Sequence, residues 1–225
     1  MKLVVFCLLF FALSGFTKET DSSVGAWTIN GIDISKYQEE VDFLQVKESG
    51  IRFVLIRATE GITYKDPYFV SNYQSARTAG LVVGAYHFYE TNDDPQSQFE
   101  NFKNVADLQS GDLPPVVDIE RLHDKDDQNF ISDILSFLKS LESYYGGKPI
   151  IYSGLNFSNT YLTQLGGYPL WIAEYGVNEP KIPEGWSNWT FWQRSQSSTI
   201  NGIKGNVDAD TFNGNELSFQ RLLLK

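Results

Sequence analysis

Cysteine is almost missing from this chain of 225 residues, and the one present, Cys7, lies in its first sixteen residues. A mature form without that segment would contain none. No disulfide could then staple it in an oxidising compartment, and no thiol could act as a nucleophile. Histidine is nearly as scarce, with His87 and His123 alone. Without cysteine they make a zinc or iron site an unfavourable reading, and no metal or other cofactor is expected. No G-x-S-x-G elbow occurs, which argues against a serine hydrolase built around His87. Basic clusters are lacking as well. The chain has 18 Lys and Arg against 28 Asp and Glu, a formal net charge of −10, which disfavours a nucleic-acid partner. Stability must come from a core instead. For that there is ample material: 42% hydrophobic residues, with 5 Trp, 12 Tyr and 16 Phe.

Long apolar runs are confined to the start. The segment "MKLVVFCLLFFALSGF" carries Lys2 and then an apolar run from Leu3 to Leu13. That is shorter than the ~20 residues needed to span a bilayer. The small residues Ala12, Ser14 and Gly15 follow, as in a secretory signal peptide. The expected organisation is a signal peptide over 1–14, a flexible lead-in over 15–26 and one folded domain over 27–225. No membrane partner is expected after signal removal, and a monomer is expected. Two sequons, at Asn156 and Asn188, are possible glycosylation sites.

Short apolar strand-like runs recur after residue 27: "GIDIS" (31–35), "FVLIRAT" (53–59), "LVVGAYHF" (81–88), "PPVVDIE" (114–120), "KPIIYS" (148–153), "YPLWIAEY" (168–175), "WTFWQ" (189–193) and "GNVDADTF" (205–212). Most are continuous, as in parallel strands covered on both faces. Helical spacing appears between the early ones. It places Val41, Leu44 and Val46 on one face, Phe69, Val70, Tyr73 and Ala76 on another, and Phe99, Phe102 and Val105 on a third. The strongest case is Ile131, Ile134, Leu135, Leu138 and Leu141. Glycines 50, 80 and 146 mark helix ends. This alternation predicts an α/β fold with a parallel sheet, closed as a single (β/α) barrel of about eight strands. A full barrel of that kind takes ~250 residues. The crowded second half therefore predicts fewer outer helices, with loops in their place.

Acids and aromatics gather at the ends of these runs. "GIDIS" carries Asp33, "PPVVDIE" carries Asp118 and Glu120, and "GNVDADTF" carries Asp208 and Asp210. Tyr86, His87 and Phe88 end another run, Tyr152 the next, and Trp171, Glu174 and Tyr175 the one after. In a β/α barrel the strand ends form the active site. A carboxylate cluster with aromatics suits glycoside hydrolysis, which needs a protonated acid and a charge-stabilising partner. Crowded carboxylates raise the pKa of at least one of them. Glu120 is read as the proton donor, and Asp118 as the ionised partner whose field keeps Glu120 protonated.

The stretches "GIDISKYQ", "RFVLIRATEG", "AGLVVGAYHFY", "PPVVDIE", "PIIYSG", "PLWIAEY", "FWQRS" and "INGIKGNVDADTF" together resemble the glycoside hydrolase family 25 lysozymes, the N-acetylmuramidases of the Chalaropsis type. The resemblance runs across roughly residues 27–212. It implies cleavage of the β-1,4 bond between N-acetylmuramic acid and N-acetylglucosamine in bacterial cell-wall peptidoglycan. It also implies that Asp118 and Glu120 are the acidic pair, flanked by Asp33 and Asp208, and that Tyr86, Tyr152, Trp171 and Gln193 contact sugar. With the leader, it points to secretion or to the lumen of a digestive vacuole or phagosome.

Two alternatives belong beside it. One is a catalytically silent peptidoglycan-binding barrel, against which the four acids argue, since binding alone does not need them. The other is a different N-acetylhexosamine glycosidase, chitinase-like, against which "VVDIERLHD" argues because it lacks the longer D-x-x-D-x-D-x-E run. The scarcity of metal ligands yields a direct test. Activity on peptidoglycan is expected to survive excess chelator unchanged, and activity that disappears and returns on adding a divalent metal would overturn a carboxylate-only site.

Overall fold

The computed structural model describes residues 29–123 and 129–225. The expected leader, the lead-in and the first residues of the expected domain lie outside the described residues. The strands are β1 (Ile29–Ile34), β2 (Phe53–Glu60), β3 (Tyr64–Lys65), β4 (Val82–Phe88), β5 (Val116–Asp118), β6 (Ile150–Gly154), β7 (Leu170–Ala173), β8 (Phe191–Ser198) and β9 (Val207–Phe212). The sheet order is β1-β9-β8-β7-β6-β5-β4-β2-β3, and β1 also pairs with β2. That last pairing closes the barrel, leaving the short β3 as a side strand on β2.

Neighbours from β1 through β2, β4, β5, β6 and β7 to β8 are parallel. The expected all-parallel sheet fails at the last strand. β9 runs antiparallel to both β8 and β1, because only residues 199–206 join it to β8 and no crossover helix intervenes.

Helices pack outside the first half. They are α1 (Phe43–Glu48), α2 (Phe69–Ala79), α3 (Pro95–Lys103) and α4 (Phe130–Tyr145), with a short α5 (Leu155–Tyr161) and a final α6 (Glu216–Leu222). Asp42 caps α1 by accepting from the amides of Leu44 and Gln45. Asp94 caps α3 by accepting from Ser97, with Pro95 in the first turn. α2 and α4 stop at Gly80 and Gly146, both in the left-handed conformation. Residues 174–190 contain no helix, as their shortness predicts. Two expected apolar faces are displaced. Leu44 and Val70 are exposed, while Phe43 and Phe137, absent from the expected faces, are buried. No helix among the described residues is long and apolar enough to cross a membrane. Asn156 and Asn188 are both exposed.

Side chains alternate across each strand, so a closed barrel sorts them into two cores. Val54, Ile56, Val83, Val117, Ile119 and Ile151 face outward into one cluster with Phe69, Phe102, Phe137 and Leu141 of the helices. Phe53, Leu55, Val116, Ile150, Trp171, Phe191 and Phe212 face inward into another. Phe219 of α6 plugs the barrel where the parallel strands begin. Its ring lies 5.1 Å from that of Phe212 and 5.8 Å from that of Phe53. This apolar end leaves only the opposite mouth for polar groups.

Gly31 faces inward on β1, where a Cβ would lie 2.2 Å from the Phe53 ring. Gly31→Ala is expected to destabilise the fold by about 1–3 kcal/mol through overpacking. Denaturant unfolding measures this. Combining it with Phe53→Leu is expected to recover part of the loss, and two additive losses would place the strain elsewhere.

Candidate active site

β5 is only three residues long and ends at Asp118. Glu120 therefore lies just past the strand and not on it, which corrects the sequence expectation. The pairing continues through single contacts all the same. The Tyr89 amide donates to the Asp118 carbonyl at 2.9 Å, the Ile119 amide to the Tyr152 carbonyl at 3.0 Å, and the Ser153 hydroxyl to the Ile119 carbonyl at 2.7 Å. Ile119 thus stays in the outer core, and the residues on either side of it turn toward the barrel mouth. Asp118 is buried and Glu120 is exposed. Their side chains are in hydrogen-bonding contact.

Gln193 on β8 organises the floor beside them. Its Nε2 donates to Asp33 Oδ2 at 2.7 Å and to Asp208 Oδ2 at 3.3 Å. Its Oε1 accepts from the Tyr152 hydroxyl at 2.8 Å and from the Tyr175 hydroxyl. Register explains the meeting of Asp33 and Asp208, which face each other across the antiparallel β1–β9 pair. The Trp171 indole donates to Asp210 Oδ1 at 2.9 Å, and its ring packs 4.4 Å from that of Tyr152. Trp171, Gln193, Tyr152 and Tyr86 are all less than a tenth exposed. They form a floor, and the half-exposed Tyr175 stands above it as a wall.

All eight residues singled out from the sequence converge on this mouth. Sequence reasoning passed over Arg57, and it noted Tyr175 and Asp210 at strand ends without giving them a role. Arg57 carried a subtler signal, since it shares inward parity with Phe53 and Leu55 in an otherwise apolar strand. Its charge lowers the pKa of Asp118 and Tyr86, and it pairs with Glu60. Arg121 links Glu60 at 3.4 Å to Glu90, forming a charged rim. His87 faces the helices. Its Nδ1 meets the Thr59 hydroxyl at 2.7 Å and its Nε2 meets Gln98 Oε1 at 3.0 Å. It is buried away from the mouth.

Desolvation dominates the electrostatics. Burial pushes Asp118 well above the usual carboxylate range, and the charge of Glu120 adds to it. Burial thus works against the ionised form of Asp118. Burial, then the charges of Asp210 and Asp208, raise Asp33 in the same way. Burial pushes Asp210 up to about 8, opposed first by the Trp171 indole, and also raises Asp208. Tyr86 is raised by burial and by the nearby charges of Asp33 and Asp118. Among the described residues no group of three or more His, Cys, Asp or Glu is arranged to hold a metal.

These shifts set a pH dependence of stability. In the unfolded chain the carboxyls ionise near pH 4. Folded Asp210 holds its proton to about pH 8, and Asp33 and Asp118 shift in the same direction. Across that interval the folded state binds more protons, so stability falls as pH rises. His87 acts oppositely at lower pH. Burial lowers it to about 4, so its contribution is lost as pH falls from about 6.5. The window from about pH 7 to about pH 8 isolates the carboxyls. The thermal midpoint is expected to fall across it, and to fall less in Asp210→Asn. A midpoint that rises or stays flat would contradict the buried protons.

The family model described as "Glycosyl hydrolases family 25" matches residues 32–203. The uncharacterized protein YegX of Escherichia coli O157:H7 is 38% identical over 201 residues, covering 87% of this chain and 73% of that protein. An N,O-diacetylmuramidase of Arthroderma benhamiae is 31% identical over 223 residues, covering 93% and 92%. The crystal structure of the bacterial lysozyme from Streptomyces coelicolor superposes with a TM-score of 0.80 at 32% identity, covering 86% of this chain and 96% of that one. The overall fold is thus shared with a solved lysozyme, and the chain belongs to family 25 of the glycosyl hydrolases.

Proposed function

We propose that this protein is a secreted lysozyme. It hydrolyses the β-1,4 bond between N-acetylmuramic acid and N-acetylglucosamine in bacterial peptidoglycan, with Glu120 as general acid/base and Asp118 as its stabilising partner. One observation carries the reading: a buried carboxyl and an exposed one sit in contact at the mouth of a family 25 barrel. Relatives named as a muramidase and a lysozyme support the substrate. The leader-like run from Leu3 to Leu13 supports secretion.

Glu120 is the member of the pair that a glycan can reach. It delivers a proton to the glycosidic oxygen as the bond to the sugar carbon breaks, and it then takes a proton from the incoming water. Asp118 lies beneath it, less exposed and without a partner for its Oδ1. An acetamido N–H of the substrate supplies that oxygen with a donor. A donated hydrogen bond favours the ionised form, so substrate binding draws Asp118 toward its carboxylate and leaves the proton to Glu120. The pair enters the reaction with the donor loaded. Asp33 and Asp208 hold the floor through Gln193. Tyr175, half exposed above that floor, offers a ring face to the sugar.

Glu120→Gln is expected to lower the hydrolysis rate on purified peptidoglycan by about 10²–10⁴-fold. Because Glu120 is exposed, unfolding stability should change by no more than about 0.5 kcal/mol. A variant that keeps near wild-type rate would remove Glu120 as the donor. Mass analysis of the released fragments is expected to find reducing-end N-acetylmuramic acid. Fragments ending in N-acetylglucosamine would assign the other bond.

A further inference from the structure

Beneath the pair just described, Asp33 and Asp210 form a second pair of carboxyls, and the reaction above gives Asp210 no role. Asp210 is wholly buried on β9. Its Oδ1 accepts from the Trp171 indole at 2.9 Å, while its Oδ2 is buried without a donor. On the antiparallel β1–β9 pair Asp33 lies opposite Asp208 and Gly31 opposite Asp210, so Asp33 and Asp210 are diagonal neighbours on the inward face, and their side chains interact. Two ionised carboxylates only accept, so a contact between them is repulsive and leaves a buried oxygen unsatisfied. A single proton between them changes both facts at once, because the repulsion becomes a short charge-assisted hydrogen bond.

We infer that Asp33 and Asp210 share one proton and that Asp210 is a positioning residue, fixing Asp33 and, through Gln193, the hydroxyls of Tyr152 and Tyr175. The relay is continuous. The Trp171 indole holds Asp210, the shared proton joins Asp210 to Asp33, and Asp33 accepts from Gln193 Nε2 at 2.7 Å. With its amide so oriented, Gln193 presents Oε1 to both tyrosine hydroxyls. Loss of the proton would put two anions side by side in the barrel and push Asp33 off Gln193. The floor under the reacting sugar would then lose its anchor.

The surroundings agree with one retained proton. The groups acting on Asp210 are Asp33 on β1, Asp208 on its own strand, Trp171 on β7 and, through its charge alone, Arg194 on β8. The charge of Asp33 is also felt by Tyr86, Tyr152 and Tyr175. Arg194 is the one cation in the set and is exposed, so it offers little compensation for a second buried negative charge.

The kinetic part of this inference rests on the muramidase reading, and the spectroscopic part does not. The Trp171 indole N–H reports on Asp210 directly. Its signal in ¹H–¹⁵N spectra of the full chain, identified by its loss in Trp171→Phe, is expected to move with a midpoint near pH 8 in the wild type. In Asp210→Asn the amide both accepts from Trp171 and donates to Asp33 permanently, so the signal should stay in place. Asp210→Ala removes the donor to Asp33, and kcat on peptidoglycan is expected to fall about tenfold to a hundredfold through misplacement. Asp210→Asn should restore it to within about threefold of wild type, since the amide reproduces the protonated acid. A wild-type Trp171 signal that does not titrate, or one that titrates equally in Asp210→Asn, would overturn the shared proton. An Asp210→Asn enzyme as slow as Asp210→Ala would overturn the positioning role. Should Asp210→Ala fail to fold, the wild-type and Asp210→Asn spectra still decide. A wild-type protein inert on peptidoglycan whose Trp171 signal still titrates would remove the muramidase reading and leave the pair standing.

Discussion

A closed barrel has one interior, and every second side chain of every strand must enter it. That constraint governs the rest of the molecule. At the end where the parallel strands begin, the interior is filled by Phe53, Phe191, Phe212 and the Phe219 plug. Gly31 is there because any larger residue would strike Phe53. With that end sealed by aromatics, the inward positions at the other end carry the polar groups. They are set by register: Asp33 opposite Asp208, Asp118 beside Tyr152, and Gln193 beside Asp210. Residues separated by up to about 175 positions in the chain become neighbours because their strands are in phase.

Crowding acids this way carries a desolvation cost, which the site meets with donors and with retained protons. Gln193 serves Asp33 and Asp208 together, Trp171 serves Asp210, and Arg57 lowers Asp118 from a distance. These are few donors for so many buried oxygens, and the deep carboxyls respond by holding protons. The asymmetry at the mouth has the same origin. Asp118 is buried and Glu120 exposed although only Ile119 separates them, and burial raises the pKa of Asp118. A substrate that supplies an N–H to Asp118 changes that balance, which couples binding to the protonation the reaction requires.

Much of this was legible before any coordinates. Continuous apolar runs alternating with helical spacing specify a β/α barrel, and the lack of room between Tyr175 and Trp189 specifies its missing helix. The mouth was legible too, because acids at the ends of apolar runs have no structural reason to be there. The less legible features depended on partners. The parallel sheet expected from the alternation of strands and helices gives no sign that β9 turns back, since an apolar strand looks the same in either direction and only its short connection to β8 betrays the turn. Leu44 and Val70 fall on apolar helix faces by spacing yet are exposed, because helical spacing marks a face without saying which neighbour covers it. Arg57 was passed over because a single basic residue in a strand gains meaning only once its parity is tied to the barrel interior.

By itself the sequence determined which residues can meet: strand parity puts Asp33, Asp118, Tyr152, Trp171, Gln193 and Asp208 on inward positions whatever the details of closure. Tertiary structure alone decided how they share charge. How strongly Asp118 resists ionisation depends on its depth below the surface. Whether Asp210 is a lone acid or half of a pair depends on its distance from Asp33 across the β1–β9 ladder. Depth and cross-strand distance are properties of the packed barrel, and desolvation, which sets the protonation of every group in the cleft, acts through both.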